Sequence, residues 1–461
     1  MVRLFSHYFP LGTLLLVTMD AICLLLANLF GLMMLNNGVG FQVADIIPSA
    51  IAFVGLMLMF SGTLGLYSDH PADDFWQFAR RLMFPLLVGL PVLHWIMYRL
   101  PDGGVSVTAL GGALLFGFVG RLAIFSFSRA SASFTTRRVM VLGVGDDANL
   151  VKETLEQSRI PGLFIVGFYS PYSDGTMASS LPPNKILLPT TSITDTARQL
   201  NVNEIVIAMR ERRGGGLPLA ELLNCKLSGI KVTDFSSFFE NYKSRVRIDL
   251  LRESWFIFGD GFRQGFTRML VKRSFDIVAS AALLLVSLPV MIIAAIAVKL
   301  ESHGPIIYRQ SRVGLGGKPF DVLKFRSMRA DAERDGTPQW AQRGDSRVTR
   351  VGHFMRLTRI DELPQLFSVL AGQMSLVGPR PERPYFVEQI AEKVPFYAAR
   401  HSVKPGVTGW AQVRHHYGAS VEDASDKLEY DLFYVKNHTL FFDILILFYS
   451  VKVVLTAQGS R

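Results

Sequence analysis

Apolar residues first gather into four long runs, over residues 11–35, 46–67, 82–100 and 105–127. Each is close to the ~20 residues that a helix needs to cross a hydrocarbon core. Between them the polar positions are unevenly charged. The 36–45 connection has no basic residue, and the third connection carries Arg99 alone. The second holds Arg80 and Arg81, and Arg129, Arg137 and Arg138 follow the fourth run. Basic residues stay on the cytoplasmic side, so both ends of a four-helix transmembrane bundle over 1–130 are expected there. Asp20 interrupts the first run. A carboxylate facing lipid is costly, so it needs either a partner inside the bundle or a functional reason.

The pattern then shortens. From 137 to 260, brief apolar segments at 139–142, 163–168, 186–188, 204–209 and 229–233 alternate with amphipathic stretches, the first of these at 147–157. Strands alternating with helices predict a parallel sheet in a small doubly wound, Rossmann-like domain. Gly143-Val-Gly145 follows the first strand as a relaxed dinucleotide fingerprint. The acid expected after the second strand is missing, since that strand runs into Gly167-Phe-Tyr-Ser-Pro171. A redox cofactor, a regulatory nucleotide and a purely structural turn all stay open.

A third pattern begins near 266. Residues 277–298 are apolar, with Ser287 and Pro289 in their middle. Proline removes a helix hydrogen bond and crowds the preceding turn, so a kink is expected. Lys272 and Arg273 precede the run, and Lys299, Arg309 and Arg312 follow it. That symmetry argues against a crossing. It predicts a re-entrant helix over about 275–299 that enters the bilayer, bends at Pro289 and returns to the cytoplasmic face. Near the end, residues 440–455 are apolar but carry Asp443 and Lys452, which suits a helix lying in the interface.

Composition narrows what such a chain meets. The 461 residues carry a net charge of +10, and 49% are hydrophobic. Acidic lipid headgroups, phosphorylated substrates and nucleic acid all match that sign. Two cysteines support neither a disulfide framework nor a thiolate metal site.

Chemistry concentrates between 304 and 437. In Arg356-Leu-Thr-Arg-Ile-Asp361-Glu362-Leu-Pro364, the apolar spacing of Leu363, Leu366, Phe367 and Leu370 predicts a short helix ending at Gly372. Asp361 would be its N-cap, where the helix dipole favours the ionised carboxylate that a nucleophile needs. Glu362 adds a second carboxylate of the kind Mg²⁺ uses beside a phosphate. A solvated helix cap is the plainer reading of the same two residues. Gly378-Pro-Arg380-Pro-Glu-Arg383-Pro384 fixes two arginines in a stiff turn, suited to forked phosphate contacts. Phe320-Asp-Val-Leu-Lys324-Phe-Arg326 reads as a strand exposing Lys324 and Arg326. Trp410, in a turn-rich loop, either packs the domain or stacks on a ligand. The polar stretch 330–345 reads as a loop that substrate could order.

From about Val271 onward the chain resembles the large monotopic phosphoglycosyl transferases, the bacterial polyprenyl-phosphate hexose-1-phosphate transferases. The resemblance rests on Tyr308-Arg-Gln-Ser-Arg-Val-Gly, Lys324-Phe-Arg-Ser-Met, Ile360-Asp-Glu-Leu-Pro-Gln-Leu, Met374-Ser-Leu-Val-Gly-Pro-Arg-Pro and Lys404-Pro-Gly-Val-Thr-Gly-Trp-Ala-Gln-Val. One departure is Ser287-Leu-Pro289, where shorter relatives place serine directly before proline. The resemblance implies a membrane helical bundle, a Rossmann-like domain over 137–260, and a mixed α/β monotopic catalytic domain over 266–461 with the re-entrant helix.

It also implies a reaction. The carboxylate at Asp361 attacks the β-phosphorus of a UDP-sugar, UMP leaves, and undecaprenyl phosphate then takes the sugar phosphate. Glu362 is implied to hold Mg²⁺, and Lys324, Arg356 and Arg380 to bind substrate phosphates or orient the carboxylates; Arg326 and Arg383 are further substrate-binding candidates from their own positions in the strand and the stiff turn. The setting implied is the cytoplasmic face of a bacterial inner membrane, at the start of exopolysaccharide or O-antigen assembly. The partners would be the bilayer and a second subunit, with no nucleic acid. A nucleotide-sugar epimerase would instead require a complete fingerprint and a Tyr-x-x-x-Lys pair in the middle domain, and neither is present. A lipid-binding scaffold would leave the residues around Asp361 without purpose.

Overall fold

A computed structural model describes residues 11–35, 137–158, 163–170, 181–188, 191–209, 217–329 and 345–455 with short gaps, and scattered positions between 2–9 and 51–126. The chain divides into two compact units, which in the main comprise residues 8–243 and 244–461.

In the first unit, α1 (Leu11–Leu35) realises the first apolar run. The runs at 46–67, 82–100 and 105–127 fall largely outside the described residues. Asp20 has its partner within the same unit. Arg121 Nε and Nη2 donate to its two carboxylate oxygens at 2.7 and 2.9 Å. Tyr67 also donates to Asp20, and Arg121 to Ser61. Asp20, Ser61 and Arg121 are fully buried. Replacing Arg121 by leucine should therefore strand a buried carboxylate, at a cost of roughly 3–5 kcal/mol. Pairing that change with Asp20→Leu should recover most of the loss. Thermal melts of both variants in detergent check this.

The rest of the unit contains a five-stranded sheet: β1 (Arg137–Leu142), β2 (Leu163–Tyr169), β3 (Ile186–Leu187), β4 (Glu204–Ile207) and β5 (Lys231–Asp234). The strands are all parallel, in the order β3-β2-β1-β4-β5. Connecting helices are α2 (Asp146–Ser158), α3 (Ile193–Gln199) and α4 (Leu219–Leu227), and α5 (Phe235–Lys243) follows the last strand. Val139 to Leu142 are wholly buried, as expected of a central parallel strand covered on both faces. Gly143 leaves β1 at φ +127, and a Cβ there would lie 2.4 Å from the Ala208 carbonyl oxygen. Both its conformation and its contact demand glycine. Asp146 and Asp147 fill the first turn of α2 and already answer the positive end of its dipole.

The second unit opens with α6 (Phe266–Glu301), 36 residues long. Among the described residues it is the one helix long and apolar enough to cross a membrane, with a mean hydropathy of 2.8 over its best window. The helix continues through Pro289. Its first turns are tied down by Lys272, which donates to Val377 O and Asp443, and by Arg273, which donates to Val369 O and Leu370 O. Its last turns pack Met291, Ala294 and Val298 against Phe325 and Met355. Between these anchors Leu285 and Val286 are 76% and 78% exposed.

After α6 come an antiparallel hairpin, β6 (Ile307–Val313) and β7 (Pro319–Phe325), then α7 (Arg350–Thr358) and α8 (Gln365–Leu370). A short parallel pair follows, β8 (Ser375–Val377) with β9 (Gly406–Thr408), and α9 (Pro384–Lys393) lies between its strands. The chain closes with α10 (Trp410–Arg414), α11 (Val421–Asn437) and α12 (Leu440–Leu455).

The core of the second unit joins Leu366, Val369, Leu376, Trp410, Leu432 and Phe442. Trp410 belongs to the packing. It is 2% exposed, and its Nε1 donates to Ser244 O at 2.8 Å. Asp443 does not mark a wet helix face. It is 1% exposed and takes Lys272 Nζ and Tyr434 OH at 2.7 Å each.

Candidate active site

Asp361 and Glu362 stand where α7 hands over to α8. Thr349 caps α7 by accepting from the Gly352 N–H at 3.0 Å. A Cβ on Gly352 would come within 2.0 Å of Ser327 O, so glycine lets α7 lie directly on the segment leaving β7. The helix ends at Arg359 in the left-handed region, φ 59 and ψ 15. That conformation is uncommon for a side-chain-bearing residue and is held here between two helical turns. A 3₁₀ turn, Ile360–Glu362, then leads through Leu363 and Pro364 into α8. Asp361 is thus not the N-cap of the helix that follows it. Pro364 takes that position, because its fixed φ suits the start of α8. Gly372, at φ +84, stops the run as its position in the sequence suggests.

Both carboxylates are buried, Asp361 at 6% and Glu362 at 8% exposure. They differ sharply in partners. Glu362 Oε1 accepts from Lys324 Nζ at 2.9 Å and Arg380 Nη2 at 2.8 Å, with Arg359 Nη1 3.9 Å away. Burial alone would raise its pKa, but Arg380, Lys324 and Arg359 outweigh that and hold it well below the usual range. Asp361 Oδ1 is buried with no hydrogen-bond donor among the described residues. Burial and the neighbouring Glu362 charge push the Asp361 carboxyl up to about 6, against the opposing pull of Lys324, Arg356 and Arg359. Four cations therefore act on two carboxylates. The site is short of negative charge by about two charges, roughly what a phosphate brings.

Of the residues singled out in the sequence, Lys324, Arg356 and Arg380 converge on the pair. Arg383 is the N-cap of α9, its carbonyl accepting from the Phe386 and Val387 N–H groups. Arg326 is a correction to the expected strand pattern. It lies beyond the end of β7 and turns inward to 6% exposure, where Nη2 donates to Ser302 O and Oγ at 2.7 and 2.8 Å. Its Nε and Nη1 are buried without partners among the described residues. Ser287 and Pro289 sit in the exposed middle of α6, and Ser287 Oγ lies 3.5 Å from Leu284 O. The stretch 330–344, read as an orderable loop, lies outside the described residues.

Arg359 is a site residue that the sequence pattern does not single out. The available signal is its place two residues before Asp361, on the same side of the dyad as Arg356.

Among the described residues no three His, Cys, Asp or Glu side chains gather to hold a metal. A cation here would need substrate oxygens to complete its shell. Mg²⁺ commonly binds through one or two carboxylates plus phosphates, so the dyad fits it, with the donor-less Asp361 Oδ1 beside Glu362.

Residues 267–457 match the family described as bacterial sugar transferase. A UDP-N-acetylgalactosamine-undecaprenyl-phosphate N-acetylgalactosaminephosphotransferase of Aeromonas hydrophila is 44% identical over 52% of this chain and 56% of its own length. A UDP-glucose:undecaprenyl-phosphate glucose-1-phosphate transferase of Escherichia coli K12 is 46% identical over 40% of this chain and 39% of its own. One of the same description from Klebsiella pneumoniae is 34% identical over 69% of this chain and 68% of its own. The chain thus spans about half the length, or less, of the first two of these relatives.

Proposed function

The chain belongs to the bacterial sugar transferase family, and on that footing we propose that it moves a sugar 1-phosphate from a UDP-sugar to undecaprenyl phosphate, with Asp361 as nucleophile. A carboxylate oxygen of Asp361 bonds to the β-phosphorus, the bridging P–O bond breaks, and UMP leaves with the electron pair. An oxygen of the lipid phosphate then attacks the same phosphorus and displaces Asp361. The product is a lipid diphosphate sugar. One observation carries this reading: a buried carboxylate oxygen without a donor, set among four cations.

Each residue has work to do in that scheme. Lys324 and Arg380 hold Glu362 ionised and present N–H groups where phosphoryl oxygens gather charge. Arg356 and Arg359 draw the Asp361 carboxyl toward the ionised form against its burial. Arg326 and Arg383 would add phosphate contacts, and the unpaired Nε and Nη1 of Arg326 support its part. Mg²⁺ at Glu362, when bound, would neutralise charge on the diphosphate.

An apolar α6 supports placement at a membrane. Both its ends are anchored to the same unit, while its middle is apolar and exposed. Contacts of both ends with one globular unit support a re-entrant helix, and the basic residues on both sides of the apolar run favour the cytoplasmic face of the inner membrane. The strand order of the first unit supports a Rossmann-like domain whose sheet and helices run over 137–243. The two acids at the start of α2 favour a structural use of its glycine turn.

UMP release should be measured with UDP-glucose, UDP-galactose and UDP-N-acetylgalactosamine, each with undecaprenyl phosphate and Mg²⁺. Turnover with one of them is expected, lost on chelation by EDTA and restored by added Mg²⁺. No release from any UDP-sugar would overturn the transferase reading, and turnover persisting in EDTA would remove the metal from it.

A further inference from the structure

Gly378 to Pro384 carries Arg380 to the dyad. The prolines at 379, 381 and 384 contribute no N–H, so the segment has few means of holding itself. It is held instead from outside, carbonyl by carbonyl. Pro379 O accepts from the Gly406 N–H at 3.0 Å, and Glu382 O from the Val313 N–H at 2.9 Å. Arg383 O accepts from the Phe386 N–H at 3.0 Å. Two further carbonyls are taken by arginine side chains: Pro381 O by Arg312 Nη1 at 3.1 Å and Arg380 O by Arg400 Nη2 at 2.8 Å.

Arg400 is the more deeply placed of these two. It is 5% exposed, and its Nε and Nη2 reach Asp431 Oδ2 on α11 at 3.0 and 2.7 Å. Its Nη1 donates to Tyr397 OH at 2.7 Å. Asp431, itself 1% exposed, thereby fixes the guanidinium plane. The backbone group that this guanidinium holds is the carbonyl of the residue whose own side chain lies 2.8 Å from Glu362. From this relay we infer that Arg400 is a positioning residue, which sets the backbone of Arg380 so that its guanidinium meets Glu362 and the substrate phosphate. The inference rests on the proposed transferase reading and adds to it a group that touches neither substrate nor the Asp361–Glu362 pair.

Lysine in place of Arg400 keeps the charge beside Asp431, but it is a single point and cannot hold Asp431, Tyr397 and Arg380 O at once. A shift of about 1 Å at a catalytic group can cost ~100-fold in rate. Arg400→Lys should therefore lower kcat/KM for UMP release by roughly 10–100-fold with little change in melting temperature. In an Arg380→Ala background the same change should cost less than about twofold, since the group it places is gone. An equal loss in both backgrounds would overturn the inference, and so would full activity in Arg400→Lys alone.

A second readout requires no turnover. Amide hydrogen exchange in a peptide covering 378–383 should quicken in Arg400→Lys, while α8 and α11 keep their protection. Unchanged exchange there would overturn the inference. If Arg400→Lys melts early, Asp431→Leu/Arg400→Leu removes both charges together and serves in the same cycle. A wild-type protein that releases no UMP would sink the transferase reading instead, and exchange alone would then decide the role of Arg400.

Discussion

Replacing Asp361 by asparagine is expected to end UMP release and, at neutral pH, to raise the melting temperature. The loss of activity follows from the loss of the nucleophile, and by comparison with other covalent catalysts it should reach about 10⁴-fold or more. The gain in stability follows from burial. The Asp361 carboxyl is pushed up to about 6 in the folded protein, from an ordinary 3.8. A group with a raised folded pKa holds its proton more tightly when folded. Its ionisation therefore costs no stability below the ordinary value, an increasing amount between the two values, and the full amount above about 6. A rise of that size corresponds to about 3 kcal/mol as an upper bound. The buried amide of asparagine still needs partners, so roughly 1–2 kcal/mol should survive, or several degrees. Melts at pH 7.5 and pH 5 check the sign, because the gain should shrink at the lower pH. The wild-type rate should likewise fall as pH drops below about 6, where the nucleophile takes up its proton.

Glu362→Gln should move stability the other way. Its carboxyl is held well below the usual range despite burial, by Arg380, Lys324 and Arg359. A depressed folded pKa contributes stability that is present above the ordinary 4.5 and is lost as pH falls through the folded value. Glutamine leaves Lys324 and Arg380 facing a neutral amide, at a cost of about 1–3 kcal/mol at neutral pH. Activity should fall by roughly 100- to 1,000-fold, the scale of losing one preorganised charge at a phosphoryl centre. Two adjacent carboxylates would then shift the melting temperature in opposite directions while both lowering kcat. Parallel melts and UMP-release rates of the two variants test this. If both variants melted below wild type, the balance of charge around the dyad would differ from the one these contacts set.

The sequence reveals those features that depend on near neighbours. Alternation of short apolar runs places β1 to β5, since parallel strands buried on both faces read as continuous apolar segments. Asp361-Glu362 stands out through its local setting, with a proline and an amphipathic run after it and paired arginines before and behind. Contacts made across long separations are hidden. Asp443 in an apolar run suggests a helix lying in the interface, and its explanation is Lys272, 171 residues away. Arg326 has the spacing of an exposed strand residue, but the chain leaves β7 one position earlier and turns it toward Ser302. Arg359 owes its role to a left-handed backbone that nothing in its own identity announces. Arg400 and Asp431 are ordinary charges in the sequence. Folding makes them a buried pair behind Arg380.

Everything proposed for the dyad turns on whether Asp361 itself carries the sugar phosphate. The decisive experiment mixes the protein with the accepted UDP-sugar and Mg²⁺, without undecaprenyl phosphate, and follows UMP while the Asp361 peptide is mapped by mass spectrometry. One UMP released per active site and a phosphosugar adduct on Asp361 are expected, the adduct discharged when the lipid phosphate is added and absent in Asp361→Asn. No burst and no adduct, with UMP appearing only once the lipid is present, would mean direct transfer between the two substrates and would rule out the covalent route.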